Sequence, residues 1–304
     1  MYVVTGSTGM LGSAVVSELR AAGISFLAPT RNDVDLMDAQ ATYKYFQATR
    51  PKVVLHTAAR VHGLLGNEKF PGDMFDQNLQ INFNVISAAK AVNVAKIVAA
   101  STVAGYAAKF TTDIREDQYL DGEPYAAESS YGHAKRAMLA QLESYYKQFD
   151  LRYAFAIYTN LYGPNDRFDT QYGHVVPSLV AKFHQATRTG EPVRVWGTGK
   201  ATRDFLYSAD AARALLHLAD NGQGRFNIAT GRTVPISYLA QLLSDLSGVR
   251  NIIWETEKPE GQLTRSYSID RLMGTGFQIR HSMEDGIAQT YKWYCENYPD
   301  VRCH

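Results

Sequence analysis

Cysteine is almost missing from this chain: 304 residues carry two, Cys295 and Cys303. Two cysteines make neither a disulfide framework nor a metal-ligand set, so no metal is expected, and a reducing, cytoplasmic setting is the simplest reading. An excess of charge of one sign is missing too. The 31 Lys and Arg face 30 Asp and Glu, a formal net charge of +1. Nothing in that balance points to nucleic acid or to an anionic membrane surface. No apolar run approaches the roughly 20 residues of a membrane span. The opening residues, Met1-Tyr2-Val3-Val4-Thr5-Gly6, have no basic region and no cleavage-site pattern, and no signal peptide is expected. Internal repeats and low-complexity stretches are lacking as well. What remains is an ordinary globular composition, 45% hydrophobic and 20% charged, long enough for one large domain or two coupled ones.

What is present begins with a glycine-punctuated turn. Tyr2 to Thr5 reads as a short buried strand, followed by Gly6-Ser7-Thr8-Gly9-Met10-Leu11-Gly12 and an apolar helix pattern at Leu11, Ala14, Val15, Val16 and Leu19. Such a turn lets backbone N–H groups and a helix N-terminus meet a pyrophosphate. The spacing is Gly-x-x-Gly-x-x-Gly, and the alternative is a tight turn with no ligand. Ile24 to Ala28 reads as a second strand ending at Pro29-Thr30-Arg31. An acidic residue there would bond a ribose 2′-hydroxyl, whereas an arginine accommodates a 2′-phosphate. Arg31 thus predicts NADP rather than NAD, against the alternative of a solvated surface arginine. Asp33, Asp35 and Asp38 lie close by, and Asp38 is a candidate near the adenine.

The alternation continues. Val53 to Leu55 reads as a third strand, and the small residues after it, in His56-Thr57-Ala58-Ala59, permit close approach of a cofactor. Met74 to Val92 is helical, with Asn78 and Asn82 on one face. Ile97 to Ala100 is a fourth strand, ending at Ser101-Thr102, and Tyr153 to Ile157 is a fifth. Strands alternating with helices predict a parallel, doubly wound α/β sheet. A hydroxyl at a strand's carboxyl end lies where such sheets bind ligands. After Asn160-Leu161-Tyr162-Gly163-Pro164 the alternation stops, and a substrate-binding part is expected. There His174-Val175-Val176-Pro177 opens a helix to about residue 187, and Val193 to Gly197 and Phe226 to Ile228 are strand-like. Further helices are expected over 236–247 and 282–297.

The chemistry centres on Ser129-Ser130-Tyr131-Gly132-His133-Ala134-Lys135. Four residues of separation stack Tyr131 and Lys135 on one helix face. A phenol titrates near 10, and an ammonium beside it favours the phenolate, suiting the pair to move a proton at a carbonyl or alcohol oxygen. The spacing alone is common by chance. It gains weight from the glycine turn upstream and the hydroxyl at Ser101.

These residues resemble the extended short-chain dehydrogenase/reductases over nearly the whole chain, and within them the GDP-L-fucose synthase family. The glycine turn and Tyr-x-x-x-Lys belong to the whole superfamily. Thr159-Asn160-Leu161-Tyr162-Gly163-Pro164, His174-Val175-Val176-Pro177, Trp196-Gly197-Thr198-Gly199 and Arg203-Asp204-Phe205-Leu206 are more specific. The resemblance implies a Rossmann domain over 1–165, with a returning segment near 200–230, and a smaller C-terminal α/β substrate domain from 166–199 and 231–304. It implies NADP(H), a GDP-linked 4-keto sugar (hexose or heptose) and a homodimer. Ser101 would orient the keto oxygen and Tyr131 would supply its proton. Lys135 would lower the tyrosine pKa and bind the nicotinamide ribose. Gly6, Thr8, Gly9, Met10, Gly12, Arg31, Asp38, Ala58, Ala59 and Asn160 would meet the cofactor. Thr102, Asn160, His174, Lys182, Trp196, Arg203 and Arg265 would meet the substrate. Thr8 stands where the family carries a second basic residue, and Arg265 where it carries a lysine.

One departure concerns the chemistry directly. The family places a cysteine two residues after the serine, and here Val103 stands there. Epimerisation at C3 and C5 takes a proton from one face and returns one to the other, so it needs two acid–base groups. His174 matches one. A valine cannot be the other. The expectation is therefore a 4-ketoreductase whose epimerase activity is lost or reduced. The alternatives are a full epimerase-reductase making GDP-L-fucose or GDP-colitose, with His62, Tyr106 or a water in the cysteine's role, or a cofactor-binding regulator without chemistry.

Overall fold

The computed structural model describes residues 1–258 and 262–303. Its N-terminal half follows the expected alternation: β1 (Tyr2–Thr5), α1 (Met10–Ala21), β2 (Phe26–Leu27), α2 (Ala39–Thr49), β3 (Val53–His56), α3 (Leu64–Lys69), α4 (Pro71–Ala91), β4 (Lys96–Thr102), α5 (Ser129–Phe149) and β5 (Arg152–Tyr158). α4 begins earlier than its periodicity indicated, because Pro71 at its first turn is pre-set for a helix start. β2 is shorter than expected. It is the edge strand and pairs with β1 alone, at two positions. The helix α3 was not legible, since its six residues carry too little periodicity to read.

The second half supplies β6 (Asn160–Tyr162), α6 (Val175–Thr189), β7 (Val193–Trp196), β8 (Thr202–Arg203), β9 (Phe205–Tyr207), α7 (Ser208–Asn221), β10 (Gly224–Ile228), β11 (Val234–Pro235), α8 (Ile236–Ser247), β12 (Ile252–Glu255), α9 (Asp270–Gly274) and α10 (Met283–Asn297). β10 returns to the main sheet, which runs β10-β5-β4-β3-β1-β2 with every pairing parallel.

The sheet is buried on both faces, which is why its strands read as continuous apolar runs. Side chains alternate across it: in β4, Val98 and Ala100 join the core beneath α1 and α7, while Ile97 and Ala99 join the core beneath α4 and α5. Each fully buried Val, Leu or Ile contributes roughly 1.5–3 kcal/mol. A third core gathers α6, α8 and α10 around Phe183, Leu239, Leu243, Ile287 and Tyr294. Because all six main strands run the same way, their carboxyl ends open on one edge, beside this third core.

Candidate active site

A cavity of about 560 Å³ runs along that edge. Its floor is the glycine turn. Gly6 has φ +72°, and a Cβ on it would lie 2.6 Å from the Ala58 backbone. A Cβ on Gly12 would lie 2.0 Å from the Gly6 carbonyl. Ser7 Oγ donates to the carbonyls of Ala28 and Pro29, tying the turn to the end of β2. Gly9 is the N-cap of α1 and brings no side-chain acceptor, so the first N–H groups of that helix are left for a ligand on the cavity side. At Gly9 a Cβ would meet only the Gly6 carbonyl, at 3.4 Å. The residues present therefore fit a pyrophosphate.

Above the turn stand the reacting groups. Ser101, at the end of β4, is 6% exposed and lines the cavity. The helix α5 comes close to this strand because residue 132 is glycine: a Cβ there would sit 2.7 Å from the Ala104 carbonyl. That approach sets Tyr131 and Lys135 on the same wall as Ser101. The Lys135 ammonium lies 5.7 Å from the centre of the Tyr131 ring and donates to the Ala100 carbonyl at 2.9 Å.

The electrostatics correct one expectation. The net shift on the Tyr131 phenol runs upward in this structure. Burial, with Tyr119 and Glu128 nearby, pushes Tyr131 above its ordinary value. Burial also pushes the Lys135 ammonium down to about 7. Loss of hydration disfavours the charged form of each group and outweighs their mutual attraction. Tyr131 is accordingly a neutral phenol at neutral pH, which is the form a proton donor needs.

The cavity continues into the region of the third core. His174, Lys182, Trp196, Arg203 and Arg265 line it, as do Thr102, Val103 and Asn160. Lys182 donates to the Arg194 carbonyl at 3.0 Å and lies 6.0 Å over the Trp196 ring. Trp196 is 36% exposed, a large flat face open to a ligand. Arg265 is buried and donates to the Ala107 carbonyl. His174 is accessible from the cavity, yet surrounding protein, Arg167 and His62 hold its imidazole below its ordinary value.

Gly6, Gly9, Met10, Gly12 and Ala59 also line the cavity. Thr8, Arg31, Asp38 and Ala58 lie off its wall. Thr8 is exposed, and Ala58 is the backbone against which Gly6 packs. Arg31 is solvated and 3.8 Å from Asp35. Asp38 is the N-cap of α2, its carboxylate accepting from the N–H groups of Gln40 and Ala41.

Three groups have no counterpart in the sequence reading. Arg167 lines the cavity, donates to His62 Nδ1 at 2.8 Å and pairs with Asp169 at 3.0 Å. Glu128 lines it near Arg265 and Arg203. Tyr119 lies behind Ser101, its hydroxyl 2.8 Å from Ser101 Oγ. Only tertiary contacts give these residues meaning, and no local motif marks them.

The geometry agrees with comparison to known proteins. The model of the NAD dependent epimerase/dehydratase family matches residues 2–229. The chain is 32% identical over 313 residues to the GDP-L-fucose synthase of Escherichia coli (strain K12), covering 98% of each. It superposes with TM-score 0.91 on a GDP-L-fucose synthetase from Naegleria fowleri bound to NADP, at 28% identity, covering 99% of this chain and 95% of that one. A GDP-mannoheptose C4 reductase from Campylobacter jejuni with NADP bound matches with TM-score 0.88 at 26% identity, covering 97% and 98%. The chain is an enzyme of the NAD dependent epimerase/dehydratase family, within the extended short-chain dehydrogenase/reductases.

Proposed function

We propose that the protein reduces the C4 ketone of a GDP-linked 4-keto hexose or heptose with NADPH and does not epimerise the ring. One observation carries this reading: Ser101, Tyr131 and Lys135 share a wall with Val103, in a cavity that joins the glycine turn to Trp196, Arg203 and Arg265. NADPH supplies a hydride when bound. Tyr131, a neutral phenol, gives its proton to the oxygen at C4. Ser101 holds that oxygen, and the Lys135 ammonium compensates the charge left on the phenolate. Lys182, Arg203 and Arg265 bring positive charge for a diphosphate, and Trp196 offers a face for a base.

Epimerisation needs a second acid–base group, and the expected substitutes for the cysteine are engaged elsewhere. Tyr106 has no exposed surface, and its hydroxyl donates to Asn227 Oδ1. It is not on the cavity wall. His62 is on the wall, but its Nδ1 accepts from the Arg167 guanidinium, which can only donate. Its lone pair is engaged, and burial with Arg167 and Arg60 holds its pKa below the ordinary value. His174 is left as the single imidazole base open to a ring carbon. The homodimer belongs to the same reading: Phe83 and Phe149, on the mutually packed α4 and α5, are 55% and 43% exposed.

A single incubation tests it. The protein, NADPH and GDP-4-keto-6-deoxy-mannose are mixed in heavy water, and the product is read by NMR and mass spectrometry. A reduced sugar without ring deuterium is expected. Deuterium at C3 and C5 in an L-sugar would show that epimerisation survives. Tight NADPH binding with no turnover on any GDP-4-keto sugar would leave a cofactor-binding regulator.

A further inference from the structure

We infer that Tyr119 is the positioning residue for Ser101, aiming the serine hydrogen at the substrate's keto oxygen; this rests on the role given to Ser101 above. Tyr119 has no exposed surface and is absent from the cavity wall, so it touches neither substrate nor cofactor. Its hydroxyl is 2.8 Å from Ser101 Oγ and 3.1 Å from the Thr102 carbonyl. The ring is wedged edge-on between Tyr106 and Phe155, at centroid distances of 5.0 and 5.3 Å. Gly105 leaves room for the hydroxyl, since a Cβ there would lie 2.1 Å from it.

The phenol has one hydrogen and two neighbours. The Thr102 carbonyl can only accept. If Tyr119 donates to that carbonyl, Ser101 donates back to Tyr119 and shows the cavity only lone pairs. If Tyr119 donates to Ser101 Oγ, the serine hydrogen is freed toward the cavity. A keto oxygen, which only accepts, selects the second arrangement. Tyr119 then backs the hydrogen bond that strengthens as negative charge develops on that oxygen. Without it, a serine that is 6% exposed must supply the bond unsupported.

A double-mutant cycle on the full-length enzyme decides the matter. Tyr119→Phe keeps the ring and removes the hydroxyl. The expected result is about a tenfold lower kcat, with KM and NADPH affinity within about twofold of wild type. In the Ser101→Ala background the same change is expected to alter kcat by less than about twofold, because the path through the serine is already cut. A merely structural role would cost a similar factor in both backgrounds, and that additivity would overturn the inference. An unchanged kcat in Tyr119→Phe would overturn it as well. A wild-type rate in Ser101→Ala would bring down the reading of Ser101 and this inference with it. A slow Ser101→Ala beside an unchanged Tyr119→Phe would overturn this inference alone. If Tyr119→Phe does not fold, Gly105→Ala displaces the same hydroxyl and is expected to give the same pattern.

Discussion

The two ends of the cavity are built on different principles. The floor comes from one contiguous stretch, residues 6–12, where backbone packs so closely that an added Cβ on Gly12 or Gly6 would lie 2.0 or 2.6 Å from it. The opposite end is assembled from segments far apart in the chain. His62 and Arg167 meet across 105 residues, and Gly63 N–H donates to the Tyr172 carbonyl at 2.8 Å. The helix carrying Tyr131 lies between. A site fixed by backbone contacts accepts one ligand shape and changes little among relatives of one fold. A site fixed by side chains can be re-aimed by a few substitutions. On the proposed reading, pyrophosphate binding belongs to the floor, and the choice of sugar to the far end.

That division can be broken experimentally, and the largest effect is expected between the two ends. Tyr131→Phe removes the proposed proton donor and leaves both binding regions intact. Loss of a positioned acid costs about 10²–10⁴ in rate. The expected outcome is a kcat at least a hundredfold lower, with NADPH affinity by fluorescence titration within about twofold. Comparable turnover in that variant would remove Tyr131 from the chemistry.

A crossed pair sharpens the comparison at intermediate size. Gly12→Ala places a methyl against the Gly6 carbonyl, and overpacking of this kind costs roughly 1–3 kcal/mol. NADPH affinity is expected to weaken about tenfold or more. Trp196→Ala removes a face for a stacked base, an interaction of about 1–3 kcal/mol. The KM for the sugar nucleotide is expected to rise about tenfold, with NADPH affinity unchanged. If Trp196→Ala weakened NADPH, or Gly12→Ala acted only on the sugar, the two ends would not be separate sites.

The same contrast decides what could be read from the chain. The parallel sheet was legible because β1, β3, β4 and β5 are buried on both faces and declare themselves as apolar runs. The glycine turn was legible because its constraint is local. Tyr131 and Lys135 were legible as a pair because a helix makes four residues of separation a contact. Their titration was not: that depends on how much protein covers them, which the sequence does not state. Tyr119 lies 18 residues from Ser101, and Arg167 lies 105 from His62, so neither pairing has a local signature. The N-cap role of Asp38, whose carboxylate accepts from the N–H groups of α2, was not read from the chain either.

The smallest expected effect tests the covered centre of the site through pH. Lys135 is 2% exposed, and burial brings its ammonium down to about 7. A lysine with a lowered pKa is charged below that value and loses its proton as pH rises through it. The charged form is the one that can donate to a ribose and compensate a phenolate, so activity belongs to the acidic side. Because kcat/KM for NADPH reports the ligand-free enzyme, it is expected to fall about fourfold between pH 6 and pH 7.5. Lys135→Arg keeps its charge throughout that range and is expected to lose this alkaline limb, whatever its absolute rate. A profile that stays flat to pH 9 in the unmodified enzyme would mean that Lys135 remains charged despite its burial, and the limb would then have to be sought nearer the ordinary lysine range.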